Sequence, residues 1–453
     1  MALGLTPIQI IEKGSHPLLV KKEEWLRVEL GDICKIQNGF AFSSKYFNHQ
    51  EGLPLIRIRD IFQNVTENLY SGDYLEEFLV KRNDFLIGMD GDFKISKWPG
   101  ELGLLNQRVC RIIVENTNIN KEFVFLCIQP YLDAIHSETS AVTVKHLSSK
   151  TISEIPIPLP PLPEQRAIVK KIETLFSSLN AGVDDLKKAQ EQLKIYRQAV
   201  LKKAFEGELI KLNRELNYNT IENVLKIVSG NTPNGLKDVS QNGDIPFYKV
   251  SDMNLLGNEV YLSKANLYLT SKEISKLKIK IFKSGTVVFP KRGGAILTNK
   301  KRILSKDSSF DLNLMGIIPN ENYTSKFLFF YFLSIDLAKI MDGSAVPQIN
   351  NKNINPLTIG DFSIEEQAQI VKEIEVRLSV CDAVEKQIQD SLSQAEALRQ
   401  SILKKSFEGT LLTSEEIDAC KLEPDYEPAS VLLDKIKTEK KANKPTRKTT
   451  KKK

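Results

Sequence analysis

The sequence is poor in the residues and motifs on which most enzymes depend. Its four histidines, His16, His49, His136 and His146, are scattered without a spacing typical of zinc ligands. The dipeptide Gly-Lys never occurs, so the chain has no phosphate loop of the G-x-x-x-x-G-K-[ST] type. A glycine-rich cofactor loop and an Asn-Pro-Pro-aromatic pocket for a flipped base are also absent. By motif, these absences exclude an ATPase and an adenine methyltransferase, and they predict no catalytic and no metal-binding residue.

Cysteines and long apolar runs are also scarce. The five cysteines are odd in number and form no CxxC pair, so they predict reduced packing residues rather than disulfides or a zinc ribbon; they are Cys34, Cys110, Cys127, Cys381 and Cys420. No apolar run approaches the roughly 18 residues that cross a membrane. The first residues lack the basic start and long apolar centre of a signal peptide. We therefore expect a cytoplasmic protein that does not enter a membrane.

Positive charge is concentrated at one end of the chain. The net charge is +6, but Lys435 to Lys453 holds ten Lys or Arg against one acid, which is +9 and leaves −3 for the rest. Any DNA-binding surface on the rest of the chain must therefore be a local patch of positive charge. The tail KTEKKANKPTRKTTKKK has no apolar periodicity, which predicts disorder and loose contact with phosphates. A purely solubilising tail is the alternative.

One stretch occurs twice. Shifting Pro160–Leu209 by 202 positions places Glu164-Gln165 on Glu366-Gln367 and Phe205-Glu206-Gly207 on Phe407-Glu408-Gly409 without a gap. Apolar residues return every three or four positions in both copies, which predicts two helices of about 45 residues, or roughly 65 to 70 Å each. A glycine near the end of each copy, Gly207 or Gly409, suits a left-handed helix stop. A narrow apolar stripe on so long a helix favours pairing with the other copy.

Each long helix is preceded by a segment with mixed strand and helix patterns. In the first segment we expect strands at GLPLIRIRDI, NDFLIGMDGDF and QRVCRIIV and a helix at KEFVFLCIQPYLDAI, and the same order returns after Leu209. Unlike the helices, the two segments share little identity. The predicted organisation is a lead-in (1–23), a first globule (24–158), a first long helix (159–213), a second globule (214–361), a second long helix (362–413) and a C-terminal segment with the basic tail (414–453).

These motifs resemble one protein family. The phrase IPIPLPPLPEQRAIVKKIETLF, the helix ending RQAVLKKAFEGEL, its echo RQSILKKSFEGTL and the opening WLRVELGDI are similar to the specificity subunit of type I restriction-modification enzymes. The resemblance covers about Trp25 to Lys453. This sequence departs from the pattern where IGDFSIEEQ, rather than a proline-rich phrase, leads into the second helix.

The resemblance implies a fold and a set of partners. It implies a mixed α/β (α+β) protein with a pseudo-twofold internal repeat, in which two target recognition domains are joined by an antiparallel coiled coil. Each domain would read half of a bipartite double-stranded DNA target, and the helices would set the spacer. The helices would also dock two methyltransferase subunits, which recruit two restriction and translocase subunits. S-adenosylmethionine, ATP and Mg²⁺ would belong to those partners, with no cofactor in this chain.

The candidate DNA-contacting residues lie at predicted turns and strand ends. Arginine suits guanine, Asn or Gln suits adenine, and Lys mainly contacts phosphate. In the first globule the candidates are Gln37, Asn38, Arg57, Arg59, Lys94, Lys97, Gln107 and Arg108. In the second they are Asn231, Lys249, Lys291, Arg292, Asn299, Lys300, Gln348 and Asn350. Two other function classes stay open: a coiled-coil scaffold that binds no DNA, and a stand-alone methyltransferase or nuclease with divergent motifs.

Overall fold

The chain forms two compact units. The computed structural model describes residues 6–14, 16–63, 66–138, 145–236, 239, 242–343 and 346–442. The first unit is Met1–Val183 with Ser393–Lys453, and the second is Asp184–Leu392. Each unit therefore contains one globule together with part of each long helix.

The first globule is a mixed α/β fold. Its elements are α1 (Pro7–Glu12), β1 (Leu26–Glu29), α2 (Leu30–Ile33), β2 (Cys34–Asn38), β3 (Phe47–Asn48), β4 (Leu53–Ile56), α3 (Ile58–Gln63), β5 (Leu69–Tyr70), β6 (Leu79–Lys81), β7 (Phe85–Gly88), β8 (Ile95–Lys97), β9 (Leu102–Leu105), β10 (Val109–Val114), α4 (Lys121–Glu138), α5 (Ser149–Ser153) and β11 (Pro156–Leu159). One sheet has the order β2-β10-β7-β8 and another the order β3-β5-β4-β9-β6, in which β4 and β9 are parallel. Strands β1 and β11 form a separate antiparallel pair.

The predicted strand at GLPLIRIRDI is shorter than expected. It ends at Ile56, and Ile58–Gln63 forms α3. The cause is local, because the Asp60 carboxylate accepts a hydrogen bond from the backbone N–H of Arg57 at 2.9 Å and fixes a turn there. The other two predicted strands and the predicted helix are present as β7, β10 and α4.

The second globule repeats this order of elements. It contains β12 (Tyr218–Thr220), α7 (Ile221–Val224), β13 (Lys226–Ser229), β14 (Ile245–Tyr248), β15 (Tyr261–Leu262), β16 (Tyr268–Leu269), α8 (Ser271–Leu277), β17 (Val287–Pro290), β18 (Arg302–Leu304), β19 (Ser309–Phe310), β20 (Leu314–Ile318), α9 (Ser325–Ser334), α10 (Leu337–Ile340), α11 (Asn351–Ile354) and β21 (Thr358–Gly360). Its sheets are β13-β20-β17-β18-β15 and β16-β14-β19, and β12 pairs with β21. Strands β14 and β19 are parallel, as β4 and β9 are in the first globule.

The long helices have the predicted length. Helix α6 spans Leu162–Phe205 and α12 spans Ile364–Phe407, each 44 residues. Both are followed by a glycine with positive φ, Gly207 and Gly409. Helix α12 starts without the proline-rich phrase because Ser363 and Glu366 form a reciprocal cap, with N–H to side-chain oxygen distances of 2.8 and 3.2 Å.

Within each unit the two helices run antiparallel. In the first unit the start of α6 meets the end of α12, where the Arg399 guanidinium lies 4.6 Å from the centroid of Phe176 and bonds Asn180. In the second unit the end of α6 meets the start of α12, where Arg197 pairs with Asp382 at 2.6 Å. The two contacts correspond under the shift of 202, so the predicted antiparallel helix pair and internal repeat are confirmed.

The chain after α12 folds onto the first unit. Helix α13 spans Ser414–Lys421 and α14 spans Ala429–Ala442. Leu432 and Ile436 of α14 are 2% and 1% exposed in the core of that unit. The prediction of disorder from Lys437 is therefore wrong for Lys437–Ala442, because burial of one apolar edge fixes a helix that its charges alone would not. Residues 443–453 lie outside the described residues.

The five cysteines are buried and free. Burial raises the pKa of the Cys34 and Cys110 thiols to about 12. This agrees with the prediction of reduced packing residues, since a buried neutral thiol is a poor nucleophile.

Candidate nucleic-acid interface

An open cleft lies in the first unit where three strands end. It has a volume of about 500 Å³ and follows the carboxyl ends of β4, β7 and β9. Its lining residues are Arg57, Ile58, Arg59, Asp90, Gly91, Asp92, Asn106, Gln107 and Arg108. Three loops far apart in sequence therefore present polar side chains to one concave surface.

Backbone hydrogen bonds hold these loops together. The N–H of Met89 donates to Arg108 O at 2.9 Å, and the N–H of Leu147 donates to Met89 O at 2.7 Å. The N–H of Gly91 donates to Lys145 O at 3.1 Å, and Asp90 forms an isolated bridge with His146. The segment Lys145–Leu147 is thus joined to the loops that line the cleft.

The second unit has the same backbone arrangement. Its corresponding hydrogen bonds run from the N–H of Lys291 to Asn313 O at 2.8 Å, of Ile349 to Lys291 O at 2.9 Å and of Gly293 to Pro347 O at 2.8 Å. Arg292 and Gln348 form the matching bridge. Gly91 and Gly293 both have a φ of 72°, a conformation that favours glycine. The two units therefore build the same loop framework from unlike sequences.

A second pair of glycines brings another segment against each framework. A Cβ on Gly39 would lie 2.0 Å from the carbonyl oxygen of Asn106, and a Cβ on Gly230 would lie 2.1 Å from that of Asp311. Only glycine allows so close a backbone approach. This explains why the sequence repeat includes a glycine at both positions.

The turn after the first parallel strand is also repeated. The Asp252 carboxylate accepts from the backbone N–H of Lys249 at 2.7 Å, as Asp60 does from Arg57 at 2.9 Å. Both aspartates are buried. The shared geometry places a basic side chain, Arg57 or Lys249, at the same point of each framework.

The side chains on the two frameworks differ. In the first unit Asp90, His146 and Arg108 contact one another, whereas in the second the corresponding residues are Arg292, Gln348 and Asn313. A short 3₁₀ turn, Gly294–Thr298, follows the loop of Arg292. The same scaffold thus carries two different sets of hydrogen-bond donors and acceptors.

Burial and charge modify the ionisable groups of the second framework. Burial, and secondarily the neighbouring Arg292, lowers the pKa of Lys291, whose ammonium donates to Ser229 Oγ at 3.1 Å. Burial raises the pKa of the Asp311 carboxyl, which also accepts from the side chain of Asn313 at 3.1 Å. The exposed cation of this loop is Arg292, whose side chain makes no hydrogen bond or ion pair within the described part of the chain.

The structure gathers about half of the predicted DNA-contacting residues onto the two frameworks. Those in the cleft of the first unit are Arg57, Arg59, Gln107 and Arg108. Those on the second framework are Lys249, Lys291, Arg292 and Gln348. Asn38 and Asn231 lie nearby, directly before and after the close-packed glycines Gly39 and Gly230.

Other predicted residues have structural partners. The Gln37 amide accepts from Arg111 at 2.6 Å and donates to Glu77 O at 2.7 Å. Lys97 pairs with Glu122 in a groove between α4 and α6. Asn299 accepts from the Lys301 ammonium, and Lys300 bonds Asn254. Asn350 is the N-cap residue of α11. Lys94 is exposed between β7 and β8. For all of these a DNA contact stays a prediction.

Sequence reasoning missed Asp90, His146 and Asn313. Shifting the candidates Arg292 and Gln348 back by the helix offset of 202 gives positions 90 and 146. That shift could have indicated both residues, although their side chains do not resemble those of the second unit. Asn313 corresponds to Arg108 only through the hydrogen bonds to Met89 and Lys291.

The described residues contain neither a cluster of metal ligands nor a membrane-spanning helix. Within those ranges no three His, Cys, Asp or Glu side chains are grouped to hold a metal ion. No helix in the described part of the chain is long and apolar enough to span a membrane.

Comparison with known proteins identifies the family. The profile of the type I restriction modification DNA specificity domain matches residues 22–188 and 213–394. The chain belongs to this family. Each of the two specificity-domain matches contains one globule and the first part of the long helix that follows it. The resemblance inferred from the sequence is confirmed.

Several members of the specificity-domain family are similar to this chain over most of its length. The EcoBI specificity subunit of Escherichia coli is 32% identical over 98% of both chains. The EcoDI specificity subunit of Escherichia coli is 25% identical over 93% of this chain and 96% of the other.

Solved structures share the fold. One is a chain from a study of complex assembly and conformational transition in the type I R-M system, with a TM-score of 0.67 and 19% identity, covering 86% of this chain and 99% of that chain. The HsdS subunit of Thermoanaerobacter tengcongensis has a TM-score of 0.51 and 19% identity, covering 86% and 98%.

Proposed function

We propose that this chain is the DNA sequence-recognition subunit of a type I restriction-modification complex. Each unit reads one half of a bipartite double-stranded DNA target through its loop framework. The paired long helices set the spacer and dock two methyltransferase subunits, which recruit two restriction subunits. Because its target is DNA, we place the protein in the cytoplasm.

The repeated framework with unlike side chains is the observation that carries this proposal. Three backbone hydrogen bonds, one bridge and one close-packed glycine recur in both units, whereas the cleft side chains differ. A molecule that holds two proteins together has no physical need for this pattern. A molecule that reads two different base sequences does, since base identity is read by side-chain donors and acceptors on a fixed scaffold.

We further propose that this chain carries no catalysis. The methyl donor S-adenosylmethionine, ATP and Mg²⁺ would be bound by the partner subunits. The motifs for those ligands are missing from the sequence, and its cleft side chains are suited to hydrogen bonding with bases and phosphates. Chemistry on the DNA would depend on the methyltransferase that the helices bind.

The test is methyl transfer by defined mixtures. The purified chain, its methyltransferase partner and the two together are incubated with S-adenosylmethionine and genomic DNA, and methylated adenines are mapped by sequencing. We expect methylation at one bipartite motif only with both proteins present. Turnover by this chain alone would contradict the non-catalytic assignment, and methylation without a motif would contradict the assignment as recognition subunit.

A further inference from the structure

Three charged or polar side chains are in mutual contact at the cleft of the first unit. Asp90 and Arg108 line the cleft, and His146 lies beside it, bridged to Asp90. Asp90 Oδ1 lies 2.5 Å from His146 Nδ1, and Asp90 Oδ2 lies 3.5 Å from Arg108 Nε. The side chains of Asp90, Arg108 and His146 are 21%, 56% and 48% exposed. The carboxylate is thus the most enclosed member, Arg108 lines the cleft, and the half-exposed His146 lies beside it.

The contact with Asp90 indicates which nitrogen carries the proton when the His146 imidazole is neutral. His146 Nδ1 is 2.5 Å from the Asp90 carboxylate but 3.5 Å from the nearer terminal nitrogen of Arg108. The shorter contact is a hydrogen bond and the longer one is at the limit of bonding. Nδ1–H therefore donates to Asp90, which leaves the Nε2 lone pair of neutral His146 as an acceptor. Arg108 supplies only donors.

Two features argue that this cluster serves binding rather than stability. Arg108 has a φ of 72°, a left-handed conformation that a long side chain adopts at a cost. Asp90 places a negative charge in a cleft proposed to approach DNA phosphates, which is unfavourable unless the carboxylate orients other groups. The turn from β9 to β10, closed by the 3.2 Å hydrogen bond from Val109 N–H to Asn106 O, needs a positive φ at this position but not an arginine side chain.

The second unit presents its guanidinium from a different position. There Arg292 occupies the place of Asp90, Gln348 that of His146 and Asn313 that of Arg108. The Gln348 amide donates to Asn350 Oδ1 at 2.9 Å, and Asn313 bonds Asp311. The guanidinium of the second unit, Arg292, therefore comes from the loop after β17. That of the first unit, Arg108, comes from the turn before β10.

Resting on the proposed function, we propose that Arg108 and His146 together read one G·C base pair, and that Asp90 is a positioning residue for both. In the major groove guanine offers the acceptors O6 and N7, and cytosine offers the N4 donor. The Arg108 fork is complementary to guanine and the Nε2 acceptor of His146 to cytosine N4. An A·T pair matches this set less well in either orientation, because its adenine offers one acceptor and one donor where guanine offers two acceptors.

The experiment couples protein and base changes. The complex of the full chain with its methyltransferase partner is assayed for methyl transfer on its target, in which each guanine of both half-sites is replaced in turn by 7-deazaguanine. We expect one guanine whose replacement lowers the wild-type specificity constant about 10- to 100-fold, the range of a bidentate contact. Arg108→Lys should lose that sensitivity at this guanine alone, and the same base pair should lose discrimination in His146→Ala.

Asp90→Asn separates positioning from folding. It keeps the shape of the side chain but removes its charge, and we expect about a fivefold loss of discrimination at the same base pair. The matched control is Arg82→Lys, an exposed arginine of the same globule that pairs with Glu101 outside the cleft. This control should retain wild-type sensitivity at every guanine. Thermal unfolding and assembly with the methyltransferase confirm that each variant is folded.

Several outcomes would overturn the inference while leaving the proposed function intact. One is that the half-site that Arg108 affects contains no G·C pair. Another is that Arg108→Lys keeps the wild-type sensitivity to 7-deazaguanine, and a third is that the three variants change discrimination at different base pairs. If one variant fails to fold, the other two give the same readout. Absence of any specific methylation by the wild-type complex would instead contradict the proposed function itself.

Discussion

Shortening the chain at two points separates the charge of the C-terminal tail from the packing of α14. A stop after Ala442 removes 443–453, which contains six Lys or Arg and no acid, and leaves the buried Ile436 in place. Each phosphate that a cation neutralises contributes about 0.9 to the slope of log affinity against log salt, so the slope should flatten by up to about 5. Affinity should fall for all DNA sequences alike, and the methylated motif should not change.

A stop after Asp434 removes packing as well. It deletes Ile436, the hydrogen bond of 3.0 Å between Asn116 and Glu439, and the ion pair of Lys440 with Asp32. Loss of one buried isoleucine side chain costs about 2 to 5 kcal/mol. At roughly 2 to 4 °C per kcal/mol for a unit of this size, the thermal transition of the first unit should fall by about 4 to 20 °C.

The control for packing is Ile436→Ala in the full chain. It should reproduce most of the thermal loss and none of the change in salt dependence, as measured by fluorescence anisotropy on labelled duplexes. The reasoning is refuted if the stop after Ala442 alters the methylated motif. It is also refuted if the stop after Asp434 unfolds at the temperature of the full chain.

Three further changes test other parts of the account. Gly39→Ala would place a Cβ 2.0 Å from Asn106 O, and we expect sequencing of methylated DNA to show lost recognition of one half-site only. Burial lowers the pKa of Lys301 to about 7, so above that pH the unfolded chain binds more protons than the folded chain. The free energy of unfolding of the wild type should therefore rise by up to about 1.4 kcal/mol per pH unit between pH 7 and about 10. Chemical denaturation of Lys301→Met should show no such rise. Four residues inserted after Val183 in α6, and four at the corresponding Glu385 in α12, lengthen both helices by about 6 Å. We expect a spacer longer by one or two bases with both half-sites unchanged; unchanged spacing in an active variant would show that the helices do not measure the gap.

The long helices could be predicted closely because their signals are local. The apolar period, Gly207 and Gly409 define both ends of the two 44-residue helices within a few positions. The 202-residue repeat also indicated that the helices pair with each other. Helix α14 could not be predicted in the same way, because its lysines indicate a solvated tail and only the core of the first unit shows where Leu432 and Ile436 are buried.

The candidate site was predicted only in part. Arg57, Gln107 and Arg108 lie at strand ends, and such ends are visible in the sequence pattern. The contact between Asp90 and His146 joins residues 56 positions apart through a single bridge, and no local period marks such a contact. Gln37 shows the opposite error, because its amide satisfies Arg111 within the fold.

The central claim is that each unit reads its own half of one bipartite target. The most direct measurement maps methylation by the complex of this chain with its methyltransferase, comparing wild type with Arg57→Ala in the first unit and Arg292→Ala in the second. We predict that the first variant relaxes base preference in one half-site and the second variant in the other, with the spacer unchanged. Relaxation of the same half-site by both variants, or a single uninterrupted motif in the wild type, would contradict the claim.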